Sequence, residues 1–293
     1  MTSEHTLVER DGGLVTVTLN RPEKKNAINS PIWMDLDGIL REVESNPADR
    51  ALLLTGAGGN FSSGADLSGG LSAKPEPGSP EALAAEEKIR AAEAAGERVD
   101  KGGLTGKGRQ LIIHDMRLVG DIIQRLQRLP KPTIAAVDGV AIGVALGLAV
   151  ACDLVVASER ATFREVFVQR GLALDGGASW TLPRLIGLRR AKQMTFFGDA
   201  VDAATALEWG LVNEVVAPDD LMATATEWAQ RLANGPTTAL SIIKRLLESG
   251  LDSSIADALE DEARAQHIVF GTHDFREGMT AYFERRPPNF IGE

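Results

Sequence analysis

A single cysteine, Cys152, stands in the whole 293-residue chain. No disulfide framework can form, and a reducing compartment, the cytoplasm, is expected. Set inside an apolar run, Cys152 reads as a small core residue rather than a nucleophile. The four histidines, His5, His114, His267 and His273, are scattered, with no HExxH, no CxxC and no carboxylate–histidine ligand spacing. No metal centre is expected from them. Lys and Arg number 31 against 41 Asp and Glu, a formal charge of −10 that leaves no general basic stripe for nucleic acid. A local basic pocket for an anionic ligand is compatible with that balance. The apolar, uncharged stretch between Asp138 and Asp153 has 14 residues, short of the roughly 20 that a membrane helix needs. Membrane insertion is therefore not expected. The opening MTSEHTLVERDGG has no apolar segment of the kind that drives secretion. The loop TGAGGNF has Phe61 where a dinucleotide loop needs its third glycine, and neither a phosphate-loop GKS/T nor a hydrolase GxSxG occurs.

What is present has the composition of a soluble globular protein, 44% apolar and 25% charged, at a length that suits one large domain or two. HTLVER and LVTVTLN flank DGG as a hairpin, with Val15, Val17 and Leu19 on one face. Ser30 as N-cap and Pro31 open a helix whose Ile32, Leu36, Ile39, Leu40 and Val43 recur at helical spacing. ALLLTG (51–56) and TIAAVD (133–138) read as buried strands. Gly139 turns the chain into a small-residue helix from about Gly143 to Ala151, and LVVAS returns as a strand. Residues 68–108, Pro-rich and then Ala/Glu/Lys-rich, read as an inserted, mobile and partly helical segment. A helix from about Gln110 to Pro130, a strand at ATFREV, a helix around Pro183–Phe197, a strand at LVNEVV and a helix opened by Asp219 or Asp220 follow. Strand and helix alternate to about residue 200 and helices dominate from 201 to 293, which predicts an α/β core with a mainly helical C-terminal region.

Two loops share one logic. FSSGADL (61–67) and GVAIGVALG (139–147) each follow a buried strand and carry glycine at a tight crossing. The first amides of a helix have no partner within it and favour negative charge. Two such N–H groups meeting at one point would hold an oxyanion, an effect of about 3 kcal/mol per donor in other enzymes.

In order along the chain, LNRPEKKNAIN, ALLLTGAGGNFSSGADL, KPTIAAVDGVAIGVALGLAVACDLVVAS, ATFREVFVQRGLALDGGASWTLPRLIG, GLVNEVV and EGMTAYFERRPPNF resemble the crotonase family, the enoyl-CoA hydratase/isomerase superfamily. The resemblance implies a spiral of ββα units with a helical C-terminal trimerisation region, assembled as a homotrimer or hexamer. It implies an acyl-CoA thioester substrate, with coenzyme A entering as part of that substrate and no separate cofactor. Ala65 and Val144 would supply the oxyanion-hole amides, Val144 standing where the family usually has glycine. Lys24, Lys25 and Ala27 fall in the segment that contacts the nucleotide, Ala65, Asp66 and Leu67 in the adjoining loop, and Arg285 at a basic position near the phosphates. Asp66 also reads as a structural capping or salt-bridge residue.

The sequence departs from the family at the two glutamates with which hydratases place and deprotonate water. Their positions are Gly147 and Phe167. Without either carboxylate, hydration lacks its acid and base. Glu165, two residues from Phe167, would substitute only if its loop shifted. The remaining candidate is Asp175 in LALDGGASW, which reads equally as a proton-moving group and as a turn cap. An enzyme acting through a thioester enolate is expected. Enoyl-CoA hydration is the reaction that overall similarity suggests, and double-bond isomerisation by Asp175 suits a single carboxylate better. Thioester hydrolysis and non-catalytic acyl-CoA binding are the rivals.

Overall fold

The computed structural model describes residues 4–66, 80–96 and 106–293. Its first strands, β1 (Thr6–Asp11) and β2 (Leu14–Leu19), pair antiparallel across Gly12 and Gly13. Val15, Val17 and Leu19 are buried together, as the two-residue period of a strand requires. α1 (Ser30–Ser45) buries Ile32, Leu36, Ile39, Leu40 and Val43 along one stripe. Its N-cap is Asn29, whose side chain accepts the Ile32 N–H at 3.2 Å, so Ser30 is the first helical residue rather than the cap. Asparagine and serine cap about equally well, and adjacent candidates do not separate on preference alone.

The larger sheet runs β1-β2-β3-β4-β6-β9, with β3 (Ala51–Gly56), β4 (Thr133–Val137), β6 (Leu154–Ser158) and β9 (Glu214–Val216) all parallel to β2. β3 shows no alternation in sequence because both of its faces are covered. Leu52 and Leu54 join the core beneath α1, α3 (Gly106–Arg128) and α4 (Val144–Ala151), while Ala51 and Leu53 pack toward α7 (Leu221–Ala233). A smaller sheet holds β5 (Val140–Ile142), β7 (Thr162–Arg164) and β8 (Val201–Asp202), with β5 parallel to β7. The sequence reading takes β5 for a turn. It is three residues long, between Gly139 and Gly143 at positive φ, too short to show a period.

α5 (Ala178–Phe197) starts ahead of Pro183 and kinks at Gly187 (φ 77°, ψ 153°). α6 (Ala203–Trp209), β9 and α7 still belong to the core region, and α8 (Thr237–Gly250), α9 (Ile255–Val269) and α10 (His273–Glu284) complete the chain. The last residues fold back. The Arg50 guanidinium donates to Thr237 Oγ1 at 3.0 Å, Gly235 O at 2.6 Å and Phe290 O at 3.2 Å, and the Asp274 carboxylate accepts the Ile291 and Gly292 amides. Of the expected insertion, α2 (Pro80–Ala94) and the start of α3 are described, and its expected mobility concerns stretches outside the described residues. No helix among the described residues is long and apolar enough to cross a membrane.

Candidate active site

Strand-like pairing brings the two glycine loops side by side. Ser62 bridges Ala141 in parallel, its amide donating to Val140 O at 2.8 Å and its carbonyl accepting from Ile142 N at 3.2 Å. The bridge is isolated, and from it the two chains run on to Ala65 and to Val144. Gly64 makes the approach possible: at φ +91° a Cβ there would lie 2.6 Å from Ile142 O. On the other side Ile28 N donates to Gly64 O and Asp66 N to Ile28 O, each at 2.8 Å. These bonds bracket Ala65 and leave its own N–H without an acceptor among the described residues. Val144 opens α4, so its N–H also lacks an acceptor there, and the helix dipole favours negative charge beside it.

The KKNA segment is fastened to the same loop. The Ser63 amide donates to Lys25 O at 2.9 Å, Ser63 Oγ to Lys24 O at 3.2 Å, and Ser62 Oγ to Asn26 O at 2.7 Å. Asn26, absent from the sequence-derived candidates, is fully buried and is the fastener: its Nδ2 donates to Ala57 O and Asn60 O, and its Oδ1 accepts the Arg21 amide. Its φ of +53°, following Lys25 at +48°, is a conformation that asparagine tolerates, and this was the available signal. Lys24 and Lys25 are exposed, with no ion pair among the described residues, and Ala27 is buried. Asp66 takes its structural role: Arg21 Nη1 donates to it at 2.8 Å and to Ala27 O at 2.7 Å. Leu67 lies outside the described residues. Arg285 ends α10 with its side chain exposed, and no described contact carries it to the other site residues.

The turn Asp175–Gly176–Gly177 lies directly on the first turns of α4. A Cβ at Gly176 would sit 3.2 Å from Val144 Cγ2, and a Cβ at Gly147 would sit 2.4 Å from Gly176 O. The turn therefore fills the space that a side chain at 147 would need. At the other hydratase position the Phe167 ring packs against Gly143, 3.3 Å from where a Cβ would stand. The acids present are placed differently. Asp175 is half-buried, its Oδ1 lacks a hydrogen-bond partner, and burial pushes its carboxyl up to about 6. Glu165 is 1% exposed with neither carboxyl oxygen bonded. Burial first, and the Asp175 charge second, push it up to about 9. A cavity of about 690 Å³ reaches Gly177 and is also lined by Ile123, Trp180, Thr181, Lys244 and Glu248.

Residues 9–92 and 111–293 match the family model for enoyl-CoA hydratase/isomerase. The 1,2-epoxyphenylacetyl-CoA isomerase of Escherichia coli (strain K12) is 34% identical over 290 residues, 99% of each chain. The short-chain-enoyl-CoA hydratase of Clostridium acetobutylicum is 33% identical over 287 residues, covering 98% of this chain and 97% of the relative. The crystal structure of an enoyl-CoA hydratase from Bacillus anthracis, 28% identical, aligns with a TM-score of 0.81 over 99% of this chain and all of that one. The chain has the crotonase fold and belongs to the enoyl-CoA hydratase/isomerase family.

Proposed function

We propose that the protein binds an acyl-CoA thioester and moves a double bond along its acyl chain, with Asp175 as the group that carries the proton. The observation that supports this is the seating of the Asp175 turn on Val144, in the space a glutamate at 147 would occupy. The thioester oxygen accepts from the Ala65 and Val144 amides. Asp175 takes a proton from the carbon next to the thioester or from the carbon beyond the double bond, and the electrons are held as an enolate. The same carboxyl returns the proton at the other end of the allylic system. A base near neutrality suits this task, because it is ionised at working pH and still basic. Fixed N–H donors aimed at the developing charge need no rearrangement as it forms.

Lys24 and Lys25 are assigned to the nucleotide end of coenzyme A, with Arg285 contributing near its phosphates. No separate cofactor is needed. Exposed apolar side chains on the C-terminal helices and the turn after α8, among them Leu247, Leu251, Leu259 and Phe283, support assembly as a homotrimer or a pair of trimers in the cytoplasm. Hydration is the second reading, supported by the names of several relatives. Gly147 and Phe167 argue against it. Incubating the purified protein with 2-enoyl-CoA and with 3-enoyl-CoA, while following enoyl absorbance and thiol release, separates isomerisation, hydration, hydrolysis and mere binding. Absorbance lost from 2-enoyl-CoA through water addition, with none gained from 3-enoyl-CoA, would overturn the isomerase reading.

A further inference from the structure

A second acid, Glu165, is buried close enough to Asp175 to feel its charge. The alternation of β7 continues one residue past its end: Phe163 is fully buried and Arg164 turns outward to Gly198 O at 2.6 Å and Gln169 Oε1 at 2.8 Å. Glu165 turns inward again. Arg164 pairs across from Ile142, so Glu165 lies across from Gly143, one residue before the unbonded Val144 amide. The other deeply buried acids of the described chain are satisfied. Asp49 accepts from Arg10 Nε at 3.1 Å, and Asp274 accepts two backbone amides. Glu165 has no such bond on either oxygen, an arrangement that disfavours a neutral carboxyl and disfavours a charged one more. A packing role alone would be filled better by leucine.

We infer that Glu165 is a positioning residue for Asp175: a carboxyl held neutral within reach of the Asp175 charge, which limits the site to one negative charge where the thioester enolate forms. This rests on the reading of Asp175 as the base. When Asp175 takes the substrate proton, its charge disappears as the enolate charge appears, so the site carries one negative charge throughout. With Glu165 ionised it would carry two, and the second would oppose the enolate. Among the described residues no cation acts on either acid. β5 and α4 contain no titratable residue but the buried Cys152 just beyond α4, Arg164 is turned away, Asp199 is exposed beyond Gly198, and Asp202 caps α6. The charge that acts on Glu165 is that of Asp175, and together with burial it keeps the Glu165 proton in place to about 9.

The test is the pH profile of 3-enoyl-CoA isomerisation. The unsubstituted enzyme is expected to gain rate through about pH 6 and to lose it above about 9, by about tenfold for the first full unit beyond. Glu165→Gln is expected to keep the rise and lack the fall. Infrared difference spectroscopy supplies a readout that needs no substrate. A protonated-carboxyl band should persist at about pH 7.5, titrate near 9, survive in Asp175→Asn and be missing from Glu165→Gln. An alkaline fall shared by Glu165→Gln, or the absence of that band in the unsubstituted protein, overturns the inference. A protein silent towards every enoyl-CoA defeats the isomerase reading instead, and the band still reports whether Glu165 is neutral.

Discussion

Asp175 and Glu165 differ in what each would lose by substitution. Asp175→Asn keeps the shape of the turn and removes the base, so turnover of the responsive enoyl-CoA should fall by about 10²–10⁴-fold, with KM little changed, in a steady-state absorbance assay. Glu165 has a stability signature as well. Folded, it keeps its proton to about 9, whereas the unfolded chain releases it near 4.5. Between those values the unfolded state binds fewer protons, so rising pH favours unfolding. Glu165→Gln has no proton to release. It should raise Tm at about pH 8 and leave it unchanged at about pH 4, as measured by thermal melts across that range. Asp175 was legible from DGG after an apolar stretch. The inward aim of Glu165 was only half legible, since three strand residues of alternation in TFRE do not say where the pleat ends.

At the level of elements, the turn and α4 compete for the same volume. Gly147→Glu, which reinstates a hydratase acid in sequence, should create no hydratase. It should displace Gly176 and lower both Tm and isomerisation, and even Gly147→Ala should cost about 1–3 kcal/mol in a denaturant melt. Asn26→Ala tests the fastening of the other loop. Three partly buried backbone groups lose their partner, for an expected loss of about 3 kcal/mol, and kcat should fall as the Ser62–Ala65 segment loosens. The larger sheet and the amphipathic helices could be read from sequence, the hairpin and the helices by their period and the central strands as short apolar runs. β5 and the true start of α5 could not. Three residues between glycines carry no period, and Pro183 lies well inside a helix whose first turn is built on Ala178 and the DGG turn.

For the whole molecule, the apolar side chains exposed on the C-terminal helices and the turn after α8 underlie the proposed assembly, and its test is a mass of about three chains, or six, in light scattering. A charge introduced at Leu247 or Phe283 should reduce that mass while the far-ultraviolet spectrum stays native. Six motifs in a fixed order made the family legible, and the first four of them hold the loops and turns from which the site is built. The acids that set the chemistry were less so, because their roles depend on which backbone lies opposite them. The contact between Gly147 and Gly176 also reaches into the history of such proteins. An ancestor and a descendant that use different acids at this spot are separated by two changes, each harmful without the other. A combinatorial library across positions 147 and 175–177 should therefore show two fitness peaks with a valley between them, and the passage from one to the other is open only to variants that alter helix and turn together.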